Sequence, residues 1–444
     1  MSAARVPAVE PIAGPRSREI FAREARHMAP GLQSIALYSG LAMASGRGSF
    51  LTDEDGKEYI DFVAGIGVGS VGHCHPKYVE ALKRQVESLT FGSFTTETRA
   101  RFLELLASVT PEGLHRIQLF SGGAEAVGAA FRLAKSATKK HEFVGFTGAF
   151  HGKTGGLLPL LWGDFKKDLG PLMPGCHVAP YANCYRCPLK LKPADCGLAC
   201  VEELRSVIKN ETAGSVAAII VEPIQGTAGN VIPADGFLPA VRAVAKESGA
   251  LFIADEMLTG FARTGKMWAC DHEGVVPDVM TVGKGIGGGF PLAGVVSTDE
   301  LTSKPPFSNP SGSSSSYGGN PLGAAAGLAS LEIILGEKLA ENAARVGAVM
   351  LERLREMQEK HRAIGDVRGR GLLLGIELVK DRATKEPIGK DVTRALFDEC
   401  LRRGLVSMCY SHAIRINPPL NIDEATALDG LARLDEAMTA VMGK

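Results

Sequence analysis

Short apolar runs alternate with amphipathic stretches through the middle of the chain. The runs that predict buried strands are 117–120, 143–146, 217–221, 251–254 and 279–282. Between them, residues 124–136 and 237–248 show the apolar spacing of helices that bury one face. Strands that alternate with helices in this way pair in parallel, so we predict a mostly parallel sheet with helices on both faces.

The two ends of the chain mix both kinds of element. Residues 49–63 predict two short strands around an Asp-Glu-Asp-Gly turn, and residues 76–90 predict a helix that begins at Pro76. The predicted elements nearer the C-terminus are strands 371–379 and 405–408 and helices 338–359, 391–403 and 423–441. We therefore predict an α/β protein with a large domain over residues 71–335. A small α+β domain combines residues 1–70 with residues 336–444.

The length and the charge balance of the chain exclude several classes of protein. The 444 residues exceed the usual size of one domain. Lys and Arg together number 49, and so do Asp and Glu, which excludes the strongly basic surface of a nucleic-acid-binding protein. The chain contains no apolar run of about 18 residues, so we expect no membrane-spanning helix. Neither nucleic acid nor a membrane is an expected partner.

The N-terminus lacks the apolar core of an export signal. We therefore expect residues 1–21 to form a loose polar arm. The nine cysteines are expected to be mostly free thiols in a reducing cytoplasm.

An acid and an amine follow two of the predicted strands. Asp255 comes directly after the run 251–254, and Lys284 comes two residues after the run 279–282. Open α/β sheets bind ligands at the carboxyl ends of their strands, and a buried lysine with a lowered pKa can act as a Schiff-base nucleophile. The alternatives are a buried ion pair for the acid and a solvent-facing loop for the lysine. A nucleotide P-loop does not fit, because Gly285 follows the lysine.

Two further features complete a pocket for a phosphorylated ring. The turn Ser121-Gly122-Gly123-Ala124 precedes a predicted helix, whose first N–H groups suit a phosphate, although it also fits an ordinary strand–helix turn. Phe150 can stack on a planar ring, although core packing is the commoner fate of an aromatic side chain. A phosphate seat, an aromatic platform, an acid and an amine nucleophile together describe pyridoxal 5′-phosphate.

With these residues in place, the chain resembles the class III aminotransferases of fold type I, the group that includes 4-aminobutyrate, ornithine and acetylornithine aminotransferases. The resemblance covers nearly the whole chain. The motifs that carry it are Gly72-His73-Cys74-His75-Pro76, Phe150-His151-Gly152, Val221-Glu222-Pro223-Ile224-Gln225-Gly226, Ala254-Asp255-Glu256, Thr259-Gly260-Phe261-Ala262-Arg263-Thr264-Gly265, Lys284-Gly285, Tyr317-Gly318-Gly319-Asn320-Pro321 and Arg368-Gly369-Arg370-Gly371. It implies a fold type I transferase.

The resemblance implies a role for each matching residue. Lys284 matches the lysine that forms the Schiff base, and Asp255 matches the acid that keeps the ring nitrogen protonated. The other implied cofactor contacts are Gly122, Gly123 and Ala124 at the phosphate, Phe150 and Met257 on the two ring faces, His151 beside the ring, Glu222 near the substrate pocket, and Ser316 at the phosphate of the neighbouring subunit's cofactor. Arg415 matches an arginine that clamps a substrate carboxylate, and Glu222 is the other implied substrate-binding residue. A surface ion pair is the alternative for Arg415. The position of Ser316 implies a homodimer with shared active sites.

Some positions depart from the usual pattern of the family. The phosphate turn usually reads Asn-Ser-Gly, and Gly128 stands where an acid is frequent. Met257 and Leu258 stand where Val and Gln are common. These changes affect the contacts that adjust the properties of the cofactor ring rather than the binding of the cofactor itself.

A cysteine cluster stands apart from these motifs. Its pattern, Cys184-x2-Cys187-x8-Cys196-x3-Cys200, resembles the spacing of metal ligands, and four thiolates suit zinc or an iron–sulfur centre. Some 4-aminobutyrate aminotransferases are similar in carrying a cysteine pair for a cluster at the subunit interface. The residues between the cysteines are equally typical of a surface insertion in which thiols pack as small hydrophobes. Metal binding is left open, and we assign no metal ligand.

The resemblance implies an aminotransferase. It would move an amino group from an amine or ω-amino acid to a keto acid, 2-oxoglutarate or pyruvate, by a ping-pong mechanism. The alternative is an amino-acid racemase or epimerase of the same family, which needs a second acid–base group opposite Lys284. A non-catalytic protein that kept the fold is disfavoured, because Lys284 and Asp255 are both present.

Overall fold

The computed structural model describes residues 12–443. Its helices are α1 (Pro15–Glu24), α2 (Ser34–Ser39), α3 (Ala64–Gly67), α4 (Pro76–Ser88), α5 (Glu97–Ser108), α6 (Gly123–Thr138), α7 (Ala199–Glu211), α8 (Phe237–Glu247), α9 (Asp299–Thr302), α10 (Pro321–Gly336), α11 (Leu339–Lys360), α12 (Lys390–Arg402) and α13 (Glu424–Met442). Its strands are β1 (Met43–Arg47), β2 (Phe50–Asp53), β3 (Glu58–Asp61), β4 (Arg116–Phe120), β5 (Glu142–Phe146), β6 (Cys176–Ala179), β7 (Val216–Val221), β8 (Leu251–Asp255), β9 (Val279–Val282), β10 (Ala293–Ser297), β11 (Ile364–Arg370), β12 (Leu373–Asp381), β13 (Glu386–Pro387), β14 (Leu405–Val406) and β15 (Ala413–Ile416).

The central sheet has seven strands in the order β4-β10-β9-β8-β7-β5-β6. Strands β9, β8, β7, β5 and β6 are parallel to one another, and β10 runs antiparallel to both of its neighbours. All six residues of β7 are buried, as expected for a parallel strand covered on both faces. The predicted mostly parallel sheet is confirmed.

Successive residues of the central strands point to opposite faces of this sheet. Ile220 and Ile253 belong to an apolar cluster that includes the inner face of α6. Their neighbours Ile219 and Phe252 belong to a second cluster, formed with α7 and α8. The continuous apolar runs in the sequence are explained by these two separate cores, because each strand has to fill both.

The two chain ends meet in a four-stranded sheet of order β1-β2-β3-β14. Strand β14 pairs in parallel with β3, so that Leu405 faces Ile60. Beside this pair, Lys57 Nζ donates to the carbonyl of Leu401, 344 residues later, at 2.9 Å. A third sheet has β12 between β11 and β15 and packs against α11. The domain boundaries near residues 70 and 335 remain a prediction.

Within residues 12–443, no helix is both long enough and apolar enough to cross a bilayer.

The predicted helices are confirmed to within about two residues at each end, the usual uncertainty of helix termini. The strand predicted at 371–379 forms two residues later, as β12 (Leu373–Asp381). Residues 371–372 form the turn between β11 and β12, and Gly371 takes a left-handed φ of 57° there. The polar arm predicted over residues 1–21 is also corrected: its last part belongs to helix α1, while residues 1–11 lie outside the described residues.

Close backbone packing at Gly347 in α11 gives a first testable prediction. A Cβ at Gly347 would lie 2.8 Å from the Cα of Gly371 and closer still to its carbonyl group. Although alanine favours helices over glycine, we expect Gly347→Ala to destabilise the fold by about 1–3 kcal/mol through overpacking. Gly128→Ala in α6 is the matched control, because a Cβ there meets nothing within 4 Å. It should stabilise by about 1 kcal/mol, and opposite shifts in the thermal unfolding midpoint check both statements.

Candidate active site

The carboxyl ends of the parallel strands surround one cavity of about 220 Å³. Strand β8 ends at Asp255, β9 ends two residues before Lys284, and the segment after β5 carries Phe150 and His151. The cavity is lined by Gly123, Ala124, Phe150, His151, Gly152, Asp255, Met257 and Lys284. These segments lie at the same edge of the sheet because the carboxyl ends of parallel strands all lie on one side.

The N-terminus of α6 forms one end of the cavity. Its N-cap residue, Gly122, has an extended backbone and no side chain to accept hydrogen bonds from the first turn. The Glu125 carboxylate instead accepts a hydrogen bond from Ser121 N at 3.1 Å, outside the helix. The first N–H groups of a helix that is 16 residues long are therefore available to an anion.

A buried acid forms another part of the cavity wall. Asp255 is 2% exposed, and its Oδ2 lies 2.6 Å from His151 Nδ1. Its other oxygen accepts hydrogen bonds from Thr281 Oγ1 at 3.1 Å and from Met257 N at 3.2 Å. Burial by itself would lower the pKa of His151, but the hydrogen bond and charge of Asp255 outweigh it, so the pKa of His151 is raised.

Lys284 follows β9 with a left-handed backbone, φ 45°, which is unusual for a residue other than glycine. Desolvation lowers the pKa of its amine, while the carboxylates of Asp255 and Glu222 oppose this and the Arg415 guanidinium adds to it. The neutral amine, which is the nucleophilic form, is therefore favoured relative to a lysine in water.

Glu222 lies behind the cavity, at the end of β7. Its carboxylate accepts hydrogen bonds from Phe150 N at 2.8 Å and from Gly226 N at 3.1 Å. Burial raises the pKa of Glu222 to about 7, the charge of Asp255 adds to the increase, and His151 opposes it. Glu222 thus fixes the backbone that carries Phe150 and can exchange a proton near neutral pH.

Two apolar side chains bound the cavity. Met257 packs closely against two glycines. A Cβ added at Gly283 would lie 2.5 Å from the Met257 sulfur, and a Cβ added at Gly123 would lie 3.0 Å from it. The two glycines therefore make room for the methionine. Phe150 also lines the cavity and meets Phe165 edge to face, with ring centroids 5.5 Å apart.

Seven of the predicted site residues line the cavity, and four do not. Gly122 caps the adjoining helix and Glu222 lies one hydrogen bond away, while Arg415 is half-buried on β15 near Tyr410. Ser316 is exposed in the Ser/Gly-rich segment and does not contact the cavity of its own chain.

Two residues of the site were missed by the sequence analysis. Thr281 donates to Asp255, and Gly152 lines the cavity, where a Cβ would come within 2.8 Å of Ala124 Cα. Thr281 pairs with Asp255 across β8 and β9, so the strand register is the signal that links them. The register is not readable from one sequence.

Fold and site together define an α/β enzyme with a reactive lysine and an anion-binding helix end in one cavity. Residues 36–438 match the model of the family described as "Aminotransferase class-III". A 4-aminobutyrate aminotransferase of Mycobacterium tuberculosis is 35% identical over 437 residues, which cover 95% of this chain and 96% of the relative. A leucine/methionine racemase of Thermococcus litoralis is 33% identical over 431 residues, 96% of each chain.

Solved structures agree with these relatives. An amine transaminase from an uncultivated Pseudomonas species, in its PLP-bound form, superposes with a TM-score of 0.88 at 29% identity, covering 94% of this chain and 99% of the other. The chain belongs to the class III aminotransferase family. It is an aminotransferase, and its cofactor is pyridoxal 5′-phosphate.

Proposed function

We propose that this enzyme moves an amino group from an amine or ω-amino acid to a keto acid, 2-oxoglutarate or pyruvate, by a ping-pong mechanism. The observation that carries the proposal is the cavity that Lys284 and Asp255 line together with the first residues of α6. Relatives and neighbours that act on 4-aminobutyrate and on amines support the donor class.

The residues of the cavity fit the cofactor. The uncapped first turn of α6, with Gly122, Gly123 and Ala124, would hold the phosphate. Asp255 would hold the proton of the ring nitrogen. His151 Nε2 is buried without a hydrogen-bond partner among the described residues, as expected for a group beside a polar ligand.

The remaining contacts follow from the same placement. Phe150 and Met257 would cover the two faces of the ring, and Lys284 would hold the cofactor aldehyde. The bound cofactor supplies an electron sink. Lys284 Nζ would accept the proton from the donor carbon and return a proton during the transfer, because desolvation lowers its pKa and favours the neutral amine that can accept one.

A half-reaction experiment tests this function. We expect an amine or ω-amino acid donor alone to change the absorbance of the bound cofactor, and pyruvate or 2-oxoglutarate to restore it. Initial rates with both substrates varied should give parallel double-reciprocal lines. If no donor in a broad amine and amino-acid panel changed the spectrum of enzyme that carries the cofactor, the proposal would be wrong.

Arg415 gives a second prediction, on substrate binding. Its guanidinium is half-buried near Tyr410 and Glu222, and burial lowers its pKa. With 2-oxoglutarate as the acceptor, we expect Arg415→Lys to raise KM by about 10-fold to 100-fold, because lysine loses the bidentate pair with a carboxylate.

A donor without a carboxylate serves as the internal control for Arg415. Its half-reaction rate, followed in the absence of any keto acid, should stay within about threefold of the wild-type rate. Equal losses with both substrate types would contradict a carboxylate clamp and indicate a structural role.

The racemase relative supports a second candidate, amino-acid racemisation. Glu222 has a pKa of about 7 and lies near Lys284, so two groups that can exchange protons flank the site. The test incubates L-leucine or L-methionine in deuterated water without a keto acid. Loss of optical activity with deuterium at the α-carbon, and no consumption of amino groups, would favour racemisation over transfer.

We also propose that the enzyme is a homodimer with shared active sites. We propose further that it acts in the cytoplasm. Exposed apolar side chains support a partner surface, with Phe91 at 78%, Phe94 at 84% and Tyr317 at 72% exposure. Ser316, next to Tyr317, would reach the phosphate of the neighbouring subunit's cofactor. Light scattering at catalytic concentration checks the assembly, and a monomer with full activity would overturn it.

A further inference from the structure

The strand that carries Arg415 has a neighbour on each side. Arg415 pairs with Gly375 of β12 on one side and forms an antiparallel bridge with Met408 on the other. Residues 409–412 connect Met408 to the start of β15, and Tyr410 lies in this connection. The backbone of Arg415 is therefore fixed, and Tyr410 lies in the loop that leads into its strand.

Two other aromatic rings hold the ring of Tyr410. Its centroid lies 5.4 Å from that of Tyr38 on α2, with 75° between the ring planes, and 5.5 Å from that of Phe397 on α12, with 82° between the planes. The rings of Tyr38 and Phe397 also meet edge to face, 6.5 Å apart. Pairs with this geometry are stabilising beyond the area that they bury. The ring of Tyr410 is thus held between two helices.

Hydrogen bonds from α12 fix the same group. Thr393 Oγ1 donates to the carbonyl of Tyr410 at 3.3 Å. Arg394 Nη2 donates to the carbonyl of Tyr38 at 2.8 Å, and the Arg394 guanidinium lies 5.0 Å from the centroid of the Tyr38 ring. Both the backbone of Tyr410 and a ring that packs on it are therefore tied to one helix.

The phenol of Tyr410 meets the guanidinium of Arg415. Burial lowers the pKa of Arg415, while the charge and hydrogen bond of Tyr410 and the charge of Glu222 oppose this. Burial raises the pKa of Tyr410 although Arg415 opposes the increase, so the phenol keeps its proton at neutral pH. Arginine has only N–H donors, so the phenol oxygen accepts this hydrogen bond.

We propose that Tyr410 is a positioning residue that orients the Arg415 guanidinium for a substrate carboxylate. The inference rests on the proposed function, in which Arg415 binds that carboxylate. A bidentate pair needs two N–H groups of the guanidinium aimed at the two carboxylate oxygens. A long, free side chain loses conformational entropy when it is fixed in that way. Because Tyr410 is itself held by α2 and α12, it fixes the guanidinium before the substrate arrives.

Binding of a dicarboxylate tests the proposal without turnover. Glutarate, which has two carboxylates and no carbonyl group, is titrated into the cofactor-loaded enzyme by calorimetry. Tyr410→Phe keeps the ring and loses the oxygen, so it should weaken glutarate binding by about 5-fold to 10-fold, the loss of one hydrogen bond to a charged group. Tyr185→Phe is the matched control, because the half-buried Tyr185 hydroxyl has no hydrogen-bond partner among the described residues, and it should bind glutarate like the wild type.

A double-mutant cycle shows whether Tyr410 acts through Arg415. In the Arg415→Met background, Tyr410→Phe should weaken glutarate binding by less than about twofold, because the group that the phenol orients is gone. Equal effects of Tyr410→Phe with and without Arg415 would overturn the proposal, since general damage to the site adds independently.

Steady-state kinetics gives a second readout. With 2-oxoglutarate as the acceptor, Tyr410→Phe should raise KM and leave kcat within about twofold, the pattern of lost substrate binding rather than lost chemistry. A fall in kcat with KM unchanged would contradict a positioning role.

The failure of this inference differs from the failure of the proposed function. If Arg415→Met bound glutarate as tightly as the wild type, the carboxylate clamp of the proposed function would be wrong, and the role of Tyr410 with it. If Arg415→Met weakened binding and Tyr410→Phe did not, the clamp would stand and the role of Tyr410 alone would be wrong.

Discussion

Lys284→Ala should reduce kcat/KM for any donor by about 10⁴-fold, because the variant loses a proton-transferring group placed beside the reacting carbon. It should also lose the cofactor absorbance that is typical of a lysine-bound aldehyde. In the wild type, borohydride should fix the cofactor on the peptide that contains Lys284, and the variant should give no such peptide. The side chain is partly buried in the cavity, so alanine leaves a space rather than a clash.

Chemical rescue separates loss of the amine from loss of the fold. A small amine such as ethylamine, which can enter the space left by the side chain, should restore part of the proton transfer in Lys284→Ala. Lys209→Ala, on the exposed face of α7, is the matched control and should have wild-type activity. An active Lys284→Ala, or a borohydride adduct on another lysine, would refute the assignment.

Asp255→Asn should lower kcat/KM by about 10²-fold to 10³-fold, the usual cost of removing one preorganised electrostatic contact from an active site. The amide keeps the size of the acid and can still accept from Thr281, so the cavity should remain intact. It cannot keep a proton on the ring nitrogen by charge. The pKa of His151 should also fall, because the hydrogen bond and charge of Asp255 raise it more than the charge of Glu222 does.

Nitrogen-15 chemical shifts of the cofactor ring report this change directly. We expect the wild type to show a protonated ring nitrogen at neutral pH and Asp255→Asn to show an unprotonated one, with cofactor content unchanged. Asp429→Asn, exposed on α13, is the control for loss of a carboxylate. If Asp255→Asn kept its activity within about threefold and its ring nitrogen protonated, another group would hold that proton.

Much of the large sheet could be predicted because its strands carry continuous apolar runs. The run 251–254 ends at Asp255, and a buried strand followed by a charged residue has few structural interpretations. The same holds for the run before Lys284. The positions of both residues were therefore predictable from local pattern, and the structure brings them to one cavity.

Other elements gave no periodic signal. Helix α10 is apolar all round, with twelve of its residues buried, so no single face stands out in its sequence. Strand β10 is short and inserted antiparallel between β4 and β9, and nothing local determines that placement. Arg415 and Thr281 depend on pairings between strands, which a single sequence does not contain.

The pairing of β14 with β3 has a consequence for protein synthesis. The amine of Lys57 meets a carbonyl that is encoded 344 residues later, and ribosomes add about 5–20 residues each second. The hairpin of β2 and β3 therefore spends roughly 20–70 seconds of synthesis with the β3 edge unpaired. During that interval a chaperone, or a neighbouring nascent chain, can occupy the edge that β14 finally covers.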